Sequence, residues 1–176
     1  LHNLFNSMAA CLSACLLDIR REDIRNALSD FEGVSHRLEP AGEVDGVRWI
    51  NDSKATNVNS CWYALESMPE SKSTVLILGG KDKGNDYSEI LPLVRRKVKA
   101  IVAMGLHNEK ILEFFGNEGI EIADTHTLAD AVAACRRLAQ AGDTVLLSPC
   151  CASFDLFKSY EDRGDRFKAA VAALKK

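Results

Sequence analysis

Val47-Arg48-Trp49-Ile50 runs directly into Asn51-Asp52-Ser53-Lys54-Ala55-Thr56-Asn57, and Trp62, Leu65 and Met68 follow at helical spacing. The first four residues read as a β-strand, the next seven as a polar turn and the remainder as a helix. A strand that ends in a polar turn and feeds a helix places that turn at the carboxyl edge of a sheet, where open α/β sheets bind their ligands. One Asp, one Lys and several hydroxyl and amide groups there can hold a small charged molecule. The same residue types cap helices, so a plain capping role stands beside the binding one.

Working downstream, strands and helices alternate. Ser73-Thr74-Val75-Leu76-Ile77-Leu78 is an apolar run stopped by Gly79-Gly80, the pattern of a strand buried on both faces of a parallel sheet. A helix around 88–97, a strand over 98–103 and a helix over 107–116 come next. A short strand near 120–122 precedes a helix carrying Leu128, Ala131, Val132, Cys135 and Leu138, and the last strand covers 144–147. Phe167, Ala170, Val171 and Leu174 form the apolar face of a terminal helix. The pattern predicts an α/β fold: a Rossmann-like three-layer domain with a mostly parallel sheet, from about residue 35 to the end.

Upstream, Val44-Asp45-Gly46-Val47 is a two-residue hairpin signal. Leu1, Leu4, Phe5, Met8, Leu12, Cys15 and Leu16 set an amphipathic helix over 1–17, and Ile24, Leu28 and Phe31 a second one ending near Gly33. Residues 1–34 thus read as the tail of a preceding domain, with a boundary near 33–36. The stripe begins at the first residue without a cap, so the chain is expected to be cut from a longer one.

The 176 residues suit one domain, or one with an appendage, and 47% hydrophobic with 27% charged residues is ordinary for a soluble globular chain. A net charge of -3 gives no electrostatic case for nucleic acid or an anionic membrane. No apolar run approaches the ~20 residues of a membrane-spanning helix, and the first residues do not read as a signal peptide. Cys11, Cys15, Cys61, Cys135, Cys150 and Cys151 form no CxxC pair and no metal spacing with His, so reduced thiols, no bound metal and a cytoplasmic protein are expected.

Three polar segments follow strands and should meet at one sheet edge: 51–57, Gly79-Gly80-Lys81-Asp82-Lys83-Gly84, and Ser148-Pro149-Cys150-Cys151-Ala152-Ser153. The second is neither GxxxxGK[ST] nor GxGxxG, so nucleotide binding by this domain alone is not expected. An anionic group near Lys83, Thr56 and Ser153 would gain charge-assisted hydrogen bonds, although Lys81 and Lys83 also suit plain solvated positions. Arg37 could clamp a phosphate or pair with Glu39. Asn3 and Asn6 share a side of the first helix. No His is placed to activate Cys150 or Cys151, which argues against covalent catalysis.

Taken together, these segments resemble the Mur ligases, most closely the branch that adds D-glutamate. The matching pieces are His2-Asn3-x-x-Asn6-x-x-Ala9-Ala10, His36-Arg37-Leu38-Glu39, Trp49 through Asn57, Leu78-Gly79-Gly80-x-x-Lys83, and Leu147-Ser148-Pro149-x-Cys151-Ala152-Ser153-x-Asp155-x-Phe157. The Asn-Asp-Ser-Lys-Ala-Thr-Asn run is the specific one. The resemblance implies a three-domain enzyme, with residues 1–34 a remnant of the central ATPase domain and 35–176 the C-terminal amino-acid-binding domain. It implies ATP and Mg2+ as cofactors, held mainly by the missing central domain, and D-glutamate and UDP-N-acetylmuramoyl-L-alanine as substrates joined through an acyl phosphate. By position, Thr56, Lys83, Ser153, Phe154 and Tyr160 (often Phe in the family) resemble the D-glutamate site, with Lys54 in the motif but of uncertain role. Asp52 resembles the contact to the ATP ribose, Arg37 one to phosphate or adenine, and Asn3 and Asn6 the adenine side; Lys81 and Asp82 receive no role. A monomer, inactive as this piece alone, is expected. A related glutamate-adding ligase of the folylpolyglutamate synthase kind and a non-catalytic Rossmann-like interaction module are the competing readings.

Overall fold

The computed structural model describes residues 2–31 and 33–175, with only the backbone of His2 and Asn3. The chain forms two compact units, one up to Val34 and one from Ser35 onward. In the first, α1 (His2–Leu16) and α2 (Arg21–Ser29) are joined by a short turn. The second helix stops at Ser29, short of the Gly33 expected from the sequence, where Asp30 N–H donates back to the Asn26 carbonyl. The stripe of Leu4, Phe5, Met8, Leu12 and Leu16 on α1 is exposed.

The second unit is built on a six-stranded sheet of order β1-β2-β6-β3-β4-β5, with β1 Glu39–Val44, β2 Val47–Asn51, β3 Thr74–Gly79, β4 Val98–Met104, β5 Glu121–Thr125 and β6 Thr144–Cys150. Only β1 runs antiparallel, paired to β2 through the Asp45-Gly46 turn. Asp45 and Gly46 both take positive φ (53° and 74°), the backbone of a type I′ turn, which is why Asp-Gly serves here. All other pairs are parallel.

Alternation along the central strands divides the core into two layers. Leu76, Leu78, Ile101 and Leu146 face α3 (Val58–Glu66), α4 (Leu91–Lys97) and α5 (Glu109–Phe115), where Leu65, Val94 and Phe115 pack. Val75, Ile77, Val102 and Leu147 face α6 (Leu128–Leu138) and α7 (Tyr160–Ala173), where Cys135, Phe167 and Val171 pack beside Trp49. The segment read from sequence as one helix around 88–97 is a 3-10 turn, Tyr87–Glu89, followed by α4 with Pro92 in its first turn.

The last strand continues three residues past the expected 147, through Pro149. A proline suits a central strand poorly, because it has no N–H for the ladder. Here it falls where the β3–β6 register shifts, between Ile77↔Leu147 and Gly79↔Cys150, and the bulge carries Cys150 into a left-handed conformation (φ 61°).

Gly79 takes φ +129°, and a Cβ there would strike the Met104 carbonyl of β4, whereas a Cβ on Gly84 (φ +89°) would meet nothing within 4 Å. Gly84→Ala should therefore cost only the backbone strain, about 1–2 kcal/mol, and Gly79→Ala several kcal/mol more, from the collision added to strain. Urea unfolding of both variants checks this; equal losses would contradict it.

Candidate functional site

The loops after β2, β3 and β6 leave the carboxyl edge of the sheet, with β6 between the other two. The chain passes from β2 and β3 to α3 and α4 on one face, and from β6 to α7 on the other. Loops that part to opposite faces open a crevice at a topological switch point. All three loops are tied across it. Lys81 N–H donates to the Ala152 carbonyl at 2.8 Å, linking the β3 and β6 loops. Arg163, one turn into α7, donates from Nε to Ser53 Oγ (2.9 Å), from Nη2 to the Ser53 carbonyl (2.9 Å), and from Nη1 and Nη2 to the Cys151 carbonyl (3.2 Å each).

The 51–57 turn divides by depth. Asn51, Asp52, Ser53 and Ala55 are buried, Lys54 and Thr56 half-buried, and Asn57 exposed. Asn51 Nδ2 bonds His36 Nδ1 and donates to Glu39 Oε2 (both 3.0 Å), while its Oδ1 accepts from Ser53 N–H at 3.1 Å. Gly164 of α7 makes room for this, since a Cβ there would collide with His36 Nδ1. Asp52 is 4% exposed. Its Oδ1 accepts from Leu38 N–H (3.2 Å) and its Oδ2 from the Ser148 hydroxyl (2.8 Å). Burial pushes its carboxyl up to about 6, against the pull of those bonds and of the Arg37 charge. Asn57 caps α3, accepting from Ser60 N–H at 2.8 Å, so capping and an open polar edge coexist in one turn.

Lys54 Nζ donates to Tyr160 Oη at 3.0 Å and lies 4.8 Å from that ring's centroid. Lys83 is exposed, and among the described residues neither its ammonium nor the hydroxyls of Thr56 and Ser153 form a hydrogen bond or ion pair. Phe154 is 66% exposed beside them. Asp82 organises its own loop, its Oδ1 accepting from Gly84 and Asn85 N–H, and pairs with Lys110 at 3.1 Å.

Arg37 is exposed and makes no hydrogen bond or ion pair among the described residues. Glu39, its alternative partner, is occupied by His36 N–H, Asn51 and Lys168 instead. Asn6 is exposed on α1, and the Asn3 side chain lies outside the described residues. Burial pushes the Cys151 thiol up to about 11 and the Cys150 thiol well above its usual value, which disfavours a thiolate nucleophile at either. Among the described residues, no group of three or more His, Cys, Asp or Glu is placed to hold a metal ion.

Arg163 was not singled out from the sequence, and His36 and Asn51, though quoted within matching motifs, received no role there. Arg163 had one signal, its spacing of four and eight residues from Phe167 and Val171 on the buried face of α7.

Arg163→Lys keeps the charge but cannot reproduce the fork of contacts, and should cost about 2–4 kcal/mol in urea unfolding. An unchanged midpoint would contradict the clamp. The Asp52 carboxyl, raised from 3.8 to about 6, binds its proton more tightly in the folded state. Its contribution is therefore full below pH 4 and is lost as pH rises through 6, by up to about 3 kcal/mol. Asp52→Asn should flatten that decline. The stability difference between wild type and variant, measured from pH 4 to 7.5, must change with pH for the assignment to stand.

Residues 36–151 match the family model described as "Mur ligase, glutamate ligase domain". The UDP-N-acetylmuramoylalanine–D-glutamate ligase of Bacteroides fragilis is 64% identical over 174 residues, covering 98% of this chain and 39% of that enzyme. Its counterpart in Porphyromonas gingivalis is 53% identical, covering 99% and 38%. The chain thus spans about two fifths of the length of the relatives it matches. Among solved structures, the UDP-N-acetylmuramate–alanine ligase of Thermotoga maritima superposes with a TM-score of 0.68 at 18% identity, covering 98% of this chain and 38% of that one. FolC of Escherichia coli in complex with ADP gives 0.65 at 21%, covering 96% and 39%. These distant structures speak for the fold alone, which is the parallel α/β sandwich described above. With the family model spanning most of the amino-acid chain from His36 onward, the chain belongs to the Mur ligase family.

Proposed function

We propose that this chain is the carboxy-terminal part of a cytoplasmic, monomeric, ATP-dependent ligase that joins D-glutamate to UDP-N-acetylmuramoyl-L-alanine in peptidoglycan precursor synthesis. The observation that carries the reading is the uneven use of polar groups at the sheet edge. Asn51, Asp52, Ser53 and Arg163 are bonded internally, whereas the side chains of exposed Lys83, half-buried Thr56 and buried Ser153 have no hydrogen-bond partner among the described residues. One ammonium and two hydroxyls at a crevice suit a dicarboxylate, and the names of the two relatives, 64% and 53% identical, favour D-glutamate. On this reading residues up to Val34 are the last helices of a central ATP-binding domain, and the unit from Ser35 brings the amino acid.

Lys83 with Thr56 takes one carboxylate, and Ser153 with nearby backbone N–H groups takes the other. Lys54, Phe154 and Tyr160 line the same edge. Arg37, exposed and without a hydrogen bond or ion pair among the described residues, suits a phosphate or adenine contact, and Asn3 and Asn6 are assigned by their motif to the adenine side. Asp52 suits the ribose less directly: both oxygens already accept a bond, so a ribose hydroxyl would use a remaining lone pair. Among the described residues no group of three or more His, Cys, Asp or Glu could hold Mg2+, and on this reading the ion belongs to the central domain. ATP supplies the phosphoryl group that activates the alanyl carboxylate. The part of this chain is to hold the D-glutamate amine in line for attack, so that alignment carries much of the rate. Alone, the chain is expected to be inactive.

In the complete enzyme, Lys83→Ala and Thr56→Ala should each raise the KM for D-glutamate about ten- to a hundredfold, the worth of one charge-assisted hydrogen bond. Ligation untouched by both would point to a non-catalytic module. ATP hydrolysis stimulated by L-glutamate rather than D-glutamate would point to a folylpolyglutamate synthase-like enzyme.

A further inference from the structure

We propose that the Tyr160 hydroxyl is a positioning group for Lys54, holding that ammonium at the sheet edge as the second cation of the amino-acid site. The proposal rests on the site reading given above and adds the device that orients one of its charges. Lys54 Nζ is 3.0 Å from Tyr160 Oη but 4.8 Å from the ring centroid, so the oxygen is the nearer contact and the ring face the secondary one. An ammonium can only donate, so in this contact the phenol oxygen is the acceptor and one of its lone pairs faces Lys54.

Both partners are fixed at their backbones. Lys54 N–H donates to the His36 carbonyl at 3.0 Å, and the Tyr160 carbonyl accepts from Ser53 Oγ at 2.7 Å. Ser53 is in turn gripped by Arg163, one turn along the helix that Tyr160 begins. The Tyr160 ring also stands edge-on to His36, with centroids 6.0 Å apart. What stays free is the four-carbon stem of Lys54, and the hydroxyl is the group that restrains its end.

An ammonium has three donors, and one bond to Tyr160 leaves two for a ligand carboxylate. A cation already held in place loses little further freedom when the ligand arrives, so the benefit falls on binding rather than on the chemical step. Lys83 and Lys54 then face a dicarboxylate from two different loops, one after β3 and one after β2.

The test is a double-mutant cycle in the complete enzyme, with D-glutamate as the varied substrate. Tyr160→Phe removes only the hydroxyl and leaves the Ser53 bond, which uses the backbone carbonyl. It should raise KM roughly three- to tenfold with kcat within about twofold and an unchanged Tm. Lys54→Met should raise KM by about tenfold or more. Because Tyr160 acts through Lys54, the double variant should match Lys54→Met alone. Independent, multiplying effects, or a Tyr160→Phe enzyme with wild-type KM, overturn the proposal. Lys83→Ala is the parallel control: if it too leaves KM unchanged, the site reading itself fails, and if it raises KM while Tyr160→Phe does not, only the positioning role fails.

Discussion

The arrangement of the sheet edge depends on one buried guanidinium. Arg163 is fully buried, and among the described residues it forms no ion pair with a carboxylate. Taking such a charge out of water is costly unless its donors are met, and here they are met by Ser53 Oγ and by the carbonyls of Ser53 and Cys151. Burial lowers its pKa only to about 10, so it stays charged at neutral pH. The loop after β3 is limited mainly by the Ala152 backbone, with the same guanidinium close by. A Cβ on Gly80 would approach Arg163 Nη1 to 3.3 Å and collide with the Ala152 carbonyl, so the loop after β3 can lie against the other two only as glycine. Three loops from distant parts of the sequence therefore behave as one body around one helix residue.

That constraint explains why the polar turn has a bonded inner half and an open outer half. Asn51 and Ser53 point into the molecule, toward His36, Glu39, Tyr160 and Arg163, and Asp52 points toward Ser148. Lys54 and Thr56 lie nearer the surface, and Asn57 closes the turn by capping α3. A loop meant only to cap would need just Asn57. A loop meant only to bind would have no reason to bury a carboxyl whose pKa burial raises to about 6. The inner half makes the outer half rigid, and a rigid outer half is what a site requires when rate depends on alignment.

The layout of the sheet was legible because its signals are local. The run of 74–78 is buried along its length, Asp45-Gly46 makes the turn its residue types demand, and Gly79 stands where a Cβ cannot. What escaped depends on partners far along the chain. Arg163 sits in Glu161-Asp162-Arg163-Gly164-Asp165-Arg166, which reads as a solvated helix face, and its partners Ser53 and Cys151 are 110 and 12 residues away. Pro149 reads as a strand breaker, and only the register shift beside β3 lets β6 pass through it. Asp52 and Asn51 read as exposed turn residues, yet α7 and the His36 segment cover them. Lys83, Thr56 and Ser153, by contrast, follow strand ends that are recognisable locally, and their side chains have no hydrogen-bond partner among the described residues.

Freedom has a consequence for the affinity of this chain by itself. An exposed lysine beside an anion in open water contributes at most about 1 kcal/mol, because solvent screens the pair and the side chain must be ordered. Lys83 is in that situation here. The same contact becomes worth several times more when a second surface excludes water and lowers the local dielectric. The donors at this edge are thus poised rather than strong, and their strength depends on whatever closes over them. An edge built this way holds a small anion firmly only once a second surface has come down on it. Weak binding in the open and firm binding under a covering surface are then two consequences of the same uncommitted lysine.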